Sequence, residues 1–175
     1  MKNILSIGGS TSNKSINKKL ADYTALMFKD ATVQFYDLSQ NELPIFSVQL
    51  EEVIGMPELV LDFVELMDEA DFLVLSLAEN NGNLNAGFKN LLDWVSRIPG
   101  RKTFNEKPIL LMATSPGARG GASVLEIAEK SFKRLGADIK STFSLPSFNE
   151  NFDVEKGIVN SVLLAELQTI VKGLN

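Results

Sequence analysis

The chain contains no cysteine and no histidine among its 175 residues. The first absence excludes a disulfide framework, a thiol nucleophile and a zinc–thiolate site. The second removes the usual general base, the commonest metal ligand and every Ser-His or Cys-His pairing. No apolar run approaches the ~20 residues of a membrane span, and Met1 to Ile7 is too short and too strand-like for a signal peptide. Basic stretches are missing as well. With a net charge of -5, nucleic acid is not expected as the main partner. A cytoplasmic protein is the default, with no metal site. If it is an enzyme, its chemistry comes from a bound cofactor or from carboxylates.

Against these absences, 45% of the residues are apolar, enough for a sizeable core in a single domain spanning 1–175. Strand and helix patterns alternate throughout. Candidate strands are Lys2 to Gly8, Thr32 to Asp37, Asp71 to Leu77, Pro108 to Thr114 and Asp138 to Leu145. The runs Phe72-Leu73-Val74-Leu75 and Ile109-Leu110-Leu111-Met112 suit central strands covered on both faces. Helical spacing joins Ile16, Leu20, Tyr23 and Met27; then Val60, Phe63, Val64 and Met67; then Phe88, Leu91, Leu92 and Val95. A weaker pattern with Leu125, Ala128 and Phe132 ends at Gly136, a plausible C-cap. Val159, Val162, Leu163, Leu167 and Ile170 mark the last helix. Leu38 to Gly55 reads as the longest irregular link. Five β/α units of this length predict an α/β, three-layer, doubly wound parallel sheet in the flavodoxin-like order 2-1-3-4-5, with ligands beyond the carboxyl ends of the strands.

Three loops fall at those ends. The first, Gly8-Gly9-Ser10-Thr11-Ser12-Asn13-Lys14-Ser15-Ile16-Asn17, crowds hydroxyls and amides at the start of a helix, where the dipole and free N–H groups favour an anion. It nearly spells the triphosphate-binding G-x-x-x-x-G-K-S. Asn13 replaces the second glycine, however, and no strand supplies the aspartate that would hold magnesium. It also lacks the G-x-G-x-x-G of a dinucleotide site, although Asp37 ends strand two. A phosphate monoester held by hydroxyls and backbone amides fits better. The plain alternative is a polar turn with Ser15 as N-cap.

The second loop is Ala78-Glu79-Asn80-Asn81-Gly82-Asn83-Leu84-Asn85-Ala86-Gly87, and the third is Ser115-Pro116-Gly117-Ala118-Arg119-Gly120-Gly121. Asn and Gly favour irregular backbone with exposed peptide groups, and three glycines in five residues permit close approach, as under a flat ring. Together the loops resemble those of the NAD(P)H-dependent FMN reductase family, the flavodoxin-like enzymes that include quinone, azo-dye and chromate reductases. Gly9-Ser10 with Ser15 and Asn17 resembles its G-S-x-R-x-x-S-x-N motif. Glu79-x-Asn81 followed by Lys89-Asn90-x-x-Asp93-Trp94 resembles its P-E-Y-N…L-K-N-x-x-D-W segment. Ser115-x-Gly117-x-x-Gly120-Gly121 resembles its third, ring-proximal loop.

The resemblance implies FMN as cofactor, with NADPH or NADH as donor and a small-molecule acceptor: a quinone, an azo compound, a metal oxyanion or free flavin. It implies that Ser10, Ser12, Ser15, Ile16 and Asn17 surround the flavin phosphate. Glu79, Asn80, Asn81 and Gly82 would line one side of the ring, with Ser115, Pro116, Gly117, Gly120 and Gly121 on the other. No side chain need be a catalytic nucleophile, because the cofactor carries the chemistry. A homodimer or homotetramer is implied, with flavin near the interface. The alternative is a flavodoxin-like electron carrier or flavin-binding module without nicotinamide activity. Two departures stand out. Ser12 replaces the family's arginine, removing a charge-assisted hydrogen bond worth ~1.5–3 kcal/mol, and Lys14 offers only a point charge in its place. Ala78, Asn80 and Gly82 replace the proline and tyrosines of the second motif, so an aromatic wall would have to come from elsewhere, such as Pro146 to Phe152 of a partner chain.

Four further residues admit plain readings. Trp94 lies on an apolar stripe and reads as packing. Lys89 and Asp93, at i and i+4, either pair on a helix surface or, as the resemblance suggests, position the second loop or the subunit interface. Arg119 either meets a nicotinamide dinucleotide phosphate or is solvated. Asp37 and Glu79 would form an acid–base pair only if the fold brought them together.

Overall fold

Continuous apolar runs flanked by amphipathic helices can bury both faces only as a covered parallel sheet, and the computed structural model, which describes residues 1–175, has that form. Five strands, β1 (Lys2–Gly9), β2 (Ala31–Asp37), β3 (Phe72–Leu77), β4 (Pro108–Thr114) and β5 (Asp138–Leu145), pair in the order β2-β1-β3-β4-β5. All pairings are parallel, with one irregularity in the β4–β5 register between Ile109 and Leu110. The expected order and strand positions are therefore found, to within a residue at the ends.

Alternation along the strands divides the core in two. Leu73, Leu75, Ile109 and Leu111 pack with Phe63 and Met67 of α3 (Glu58–Glu69), Phe88 and Leu91 of α4 (Ala86–Val95) and Phe132 of α5 (Ala122–Arg134). Val74, Leu110 and Met112 meet Leu20 and Ala21 of α1 (Ile16–Ala25) and Leu167 and Val171 of α7 (Ser161–Leu174). Each such large apolar side chain contributes ~1.5–3 kcal/mol by leaving water. Ser6, fully buried between these positions, donates to Asp22 at 2.7 Å and ties β1 to α1. Trp94 is buried too: its indole N–H donates to Pro44 O at 2.8 Å, and its ring meets Phe46 edge-on at 5.1 Å. Packing is thus its role in the fold.

The structure departs from the sequence reading at three places. Leu38 to Gly55 is not irregular throughout. It holds a 3-10 turn, Leu38–Gln40, and a helix, α2 (Val48–Ile54), capped by Ser47 on Leu50 N–H. α2 is seven residues long, too short for Leu50, Val53 and Ile54 to stand out as a helical period, and of these Leu50 alone packs against the core. In the last helix, Asn160 is the N-cap, which leaves Val159 before the helix and Val162 in solvent. The Pro146 to Phe152 segment is not a loop throughout. It forms the short α6 (Phe148–Asn151), where Phe148 is buried in its own chain and stacks on Phe152 at 4.7 Å.

Candidate functional site

Parallel pairing brings the carboxyl ends of β1, β3 and β4 side by side, with Gly8 opposite Ser76 and Leu77 opposite Ala113. The three loops leave from that edge, at the point where the strand order reverses. Between them lies a cleft of about 190 Å³ lined by Ser10, Ser12, Lys14, Ser15, Ile16, Asn17, Ala78, Glu79, Thr114, Ser115 and Pro116. That volume is smaller than the ~300–1,000 Å³ of a pocket enclosing a drug-sized ligand, so the cleft suits a head group rather than a whole flavin.

The first loop is a set of donors without acceptors. Ser10 Oγ accepts from Ser12 N–H at 3.2 Å, Ser12 Oγ from Lys14 N–H at 3.2 Å and Ser15 Oγ from Lys18 N–H at 3.0 Å. Each hydroxyl accepts, so its proton stays free to donate. Ser15 is therefore the N-cap of α1, as the plain reading holds, yet still has a proton to give. The N–H groups of Ile16 and Asn17, at the first turn of α1, find no acceptor in the chain. Neither do those of Thr11 and Asn13. The approach of α1 depends on Gly8, where a Cβ would lie 2.6 Å from Lys18 Cα. Free donors converging on a helix N-terminus fit a phosphate.

The Asn17 side chain turns away from this donor set. Its amide donates to Thr114 O at 3.1 Å, and its carbonyl accepts from Thr114 N–H at 3.0 Å and Ser76 Oγ–H at 2.8 Å. It fastens the start of α1 to the ends of β3 and β4, which leaves its backbone N–H as the group available to a ligand.

Loop two is a tight ribbon, Glu79–Asn80 against Asn83–Leu84, turned by Asn81 and Gly82 at φ 51° and 74°. Both angles are positive, as a two-residue type I′ hairpin turn requires. Asn80 accepts from Asn85 Nδ2 at 3.0 Å, and Asn85 also caps α4 through the N–H groups of Gly87 and Phe88. Glu79 turns instead to the first turn of α5, directly after the third loop, where Oε2 accepts from Val124 N–H at 3.1 Å. In that loop Gly120 and Gly121 are demanded by the chain's own packing. Both have positive φ, and an added Cβ would strike Ser144 Oγ or Ala113 Cβ. Gly117 differs: nothing lies nearer than Ser115 Oγ at 4.0 Å, so its face is open.

Other candidates have partners within the chain. Lys89 pairs with Asp93 at 2.6 Å on an exposed helix surface. Asn90, which sequence reasoning did not weigh, holds the Pro44–Phe46 segment: it accepts from Phe46 N–H at 2.8 Å and donates to Pro44 O at 3.0 Å. Arg119 donates to Ser123 Oγ at 2.6 Å. Asp37 accepts from Ser39 N–H and Oγ–H, so it and Glu79 serve separate partners. A larger cleft, about 410 Å³, lies between Leu38–Ile45 and the start of α4, with Thr11 on its wall. The side chains of Ser39, Asn41 and Asn90 there donate to groups of the chain itself.

Residues 2–150 match the family described as NADPH-dependent FMN reductase. The chain belongs to that family. It is an oxidoreductase of the NAD(P)H-dependent FMN reductase type, and of the two functions open from sequence this is the one the match carries. Over 145 residues it is 30% identical to an NADPH:quinone oxidoreductase of Arabidopsis thaliana, covering 81% of this chain and 72% of that one. A quinone reductase of Escherichia coli (strain K12) is 32% identical over 81 residues, covering 46% of this chain and 43% of the relative; the chain thus aligns with under half of that protein's length. The solved structure of FerB, a flavoenzyme NAD(P)H:(acceptor) oxidoreductase from Paracoccus denitrificans, has a TM-score of 0.80 at 22% identity, covering 99% of this chain and 94% of that one. At that identity the likeness shows the fold, which this member of the family shares along its length.

Proposed function

We propose that the chain binds FMN across the ends of β1, β3 and β4 and uses it to carry electrons from NADPH or NADH to a small-molecule acceptor such as a quinone, an azo compound, a metal oxyanion or free flavin. The observation that carries this reading is the donor set of the first loop: the Ser10, Ser12 and Ser15 hydroxyls and the Ile16 and Asn17 N–H groups, none donating within the protein. These residues hold the phosphate. The ribbon Glu79 to Gly82 and the loop Ser115, Pro116, Gly117, Gly120 and Gly121 flank the ring. FMN, when bound, supplies two-electron chemistry that no side chain here can provide.

The protein's own part is orientation and electrostatics. Backbone N–H groups of Gly117, Ala118 and Arg119, which lack acceptors in the chain, are suited to stabilise negative charge gained by a ring beside them. Donor and acceptor use one mouth in turn, which predicts ping-pong kinetics. We also propose a cytoplasmic homodimer or homotetramer. Ile45, Val48 and Val53, with Ile54 and Leu61, are large apolar side chains left exposed between residues 45 and 61, a concentration that supports an interaction surface there. No helix is long and apolar enough to cross a membrane.

Ser15→Asp tests the placement. Aspartate caps a helix about as well as serine, so the apo protein should melt as the wild type does. The added carboxylate opposes a phosphate, so FMN binding should be lost while NADPH still bleaches flavin bound to the wild type. Unchanged FMN affinity in the variant would refute the site.

A further inference from the structure

Helix α5 begins without a cap of its own. Gly121 occupies the N-cap position at φ 80° and has no side chain to offer. Val124 N–H, in the first turn, is taken instead by Glu79 Oε2 from a loop 45 residues earlier. The same carboxylate lines the cleft, where it is the one acidic side chain and Lys14 the one basic. Loop two and the start of α5, directly after loop three, therefore meet at a negative charge. A helix N-terminus is worth only about half a positive charge, so it offsets the carboxylate in part.

On the reading that FMN lies between these loops, we propose that Glu79 is a positioning residue that also sets the electron affinity of the site. Its hydrogen bond to Val124 locks loop two onto the first turn of α5, which follows loop three directly. Its charge, held by that bond, opposes the extra electron density of reduced FMN. The reduced form is then bound less tightly relative to the oxidised form, making the bound flavin a stronger reductant. Separated charges in an effective dielectric of about 20 interact strongly enough to move such a ratio by about tenfold.

Two variants separate the two roles. Glu79→Gln keeps a carbonyl oxygen for Val124 N–H and removes the charge, whereas Glu79→Ala removes both. The measurements are the melting temperature of apo protein, the affinity for oxidised FMN by fluorescence titration, and the midpoint potential of bound FMN against a reference dye. For Glu79→Gln the expected result is a wild-type melt and a ratio shifted about tenfold toward reduced FMN, which for a two-electron couple is about 30 mV more positive. For Glu79→Ala the expected result is a lowered melt and weakened binding of oxidised FMN. A purely structural Glu79 would leave the potential of Glu79→Gln at the wild-type value, and that result overturns the electrostatic role. Wild-type melting and binding in Glu79→Ala overturns the lock. Failure of the wild type to take up FMN at all overturns the function proposed above, before either variant is compared.

Discussion

Replacing Asn17 by alanine removes three hydrogen bonds at once, to Thr114 N–H, Thr114 O and Ser76 Oγ–H. The Ser76 hydroxyl can rotate toward another acceptor, but both Thr114 groups belong to backbone that is 1% exposed. Each buried polar group left unpaired costs ~1–3 kcal/mol. Two such groups, with water from the cleft relieving part of the loss, put the total at about 3–4 kcal/mol. For a chain of this size each kcal/mol moves Tm by ~2–4 °C, so the apo variant should melt roughly 6–16 °C below wild type. FMN affinity should fall as well, by about tenfold or more, because small misplacements of positioned groups are expensive. Thermal melting of apo protein and fluorescence titration with FMN measure the two effects separately. Lost FMN binding with an unchanged melt would refute the reasoning, since the side chain would then be acting on the ligand directly and not through Thr114.

Three other substitutions have equally definite outcomes. Ser12→Arg should tighten FMN by ~10–100-fold, the equivalent of a charge-assisted bond of ~1.5–3 kcal/mol, and no tightening in a titration at moderate salt would show that residue 12 does not reach the phosphate. Gly117→Ala meets only Ser115 Oγ at 4.0 Å, so apo stability should stay within ~0.5 kcal/mol of wild type while FMN binding weakens; a calorimetric titration showing full affinity would remove Gly117 from the ring's path. Tyr36→Phe should raise Tm by ~2–4 °C, the effect of ~1 kcal/mol, because the Tyr36 hydroxyl is buried with no partner. Burial, and next the Asp62 carboxylate, push its phenol well above the usual range. The folded pKa is raised above the unfolded ~10, so wild-type stability is whole below pH ~10 and declines as pH rises beyond it. Melting curves of the phenylalanine variant should decline less over that alkaline range.

The sheet was legible because its signals are local. Val74 and Leu110 sit in continuous apolar runs, and Leu20, Phe63 and Leu91 mark their helices by spacing alone. The three loops were legible for the same reason, since composition at the end of a strand betrays a turn that leaves backbone groups uncovered. Long-range pairings were not. Asn17 and Thr114 are 97 residues apart, as Glu79 and Val124 are 45 apart, and no local pattern announces which amide or carboxylate will reach across. Gly120 and Gly121 illustrate a related limit. Their presence suggested room for a ligand, yet what they accommodate is Ser144 and Ala113. α2 escaped notice because seven residues are too few to display a helical period.

Trp94 has a consequence that is optical. It is the sole tryptophan of the chain, sealed in the core on α4, whose first residues follow directly from loop two. Indole emission overlaps flavin absorption, so a flavin seated beyond the strand ends would accept the excitation energy and dim the signal from one known position. With Nε1 held on Pro44 and the ring against Phe46, the emitter has a fixed orientation and little freedom to respond to anything else. The protein thus carries its own occupancy gauge, readable in native sequence without a label, and Trp94→Phe provides the blank.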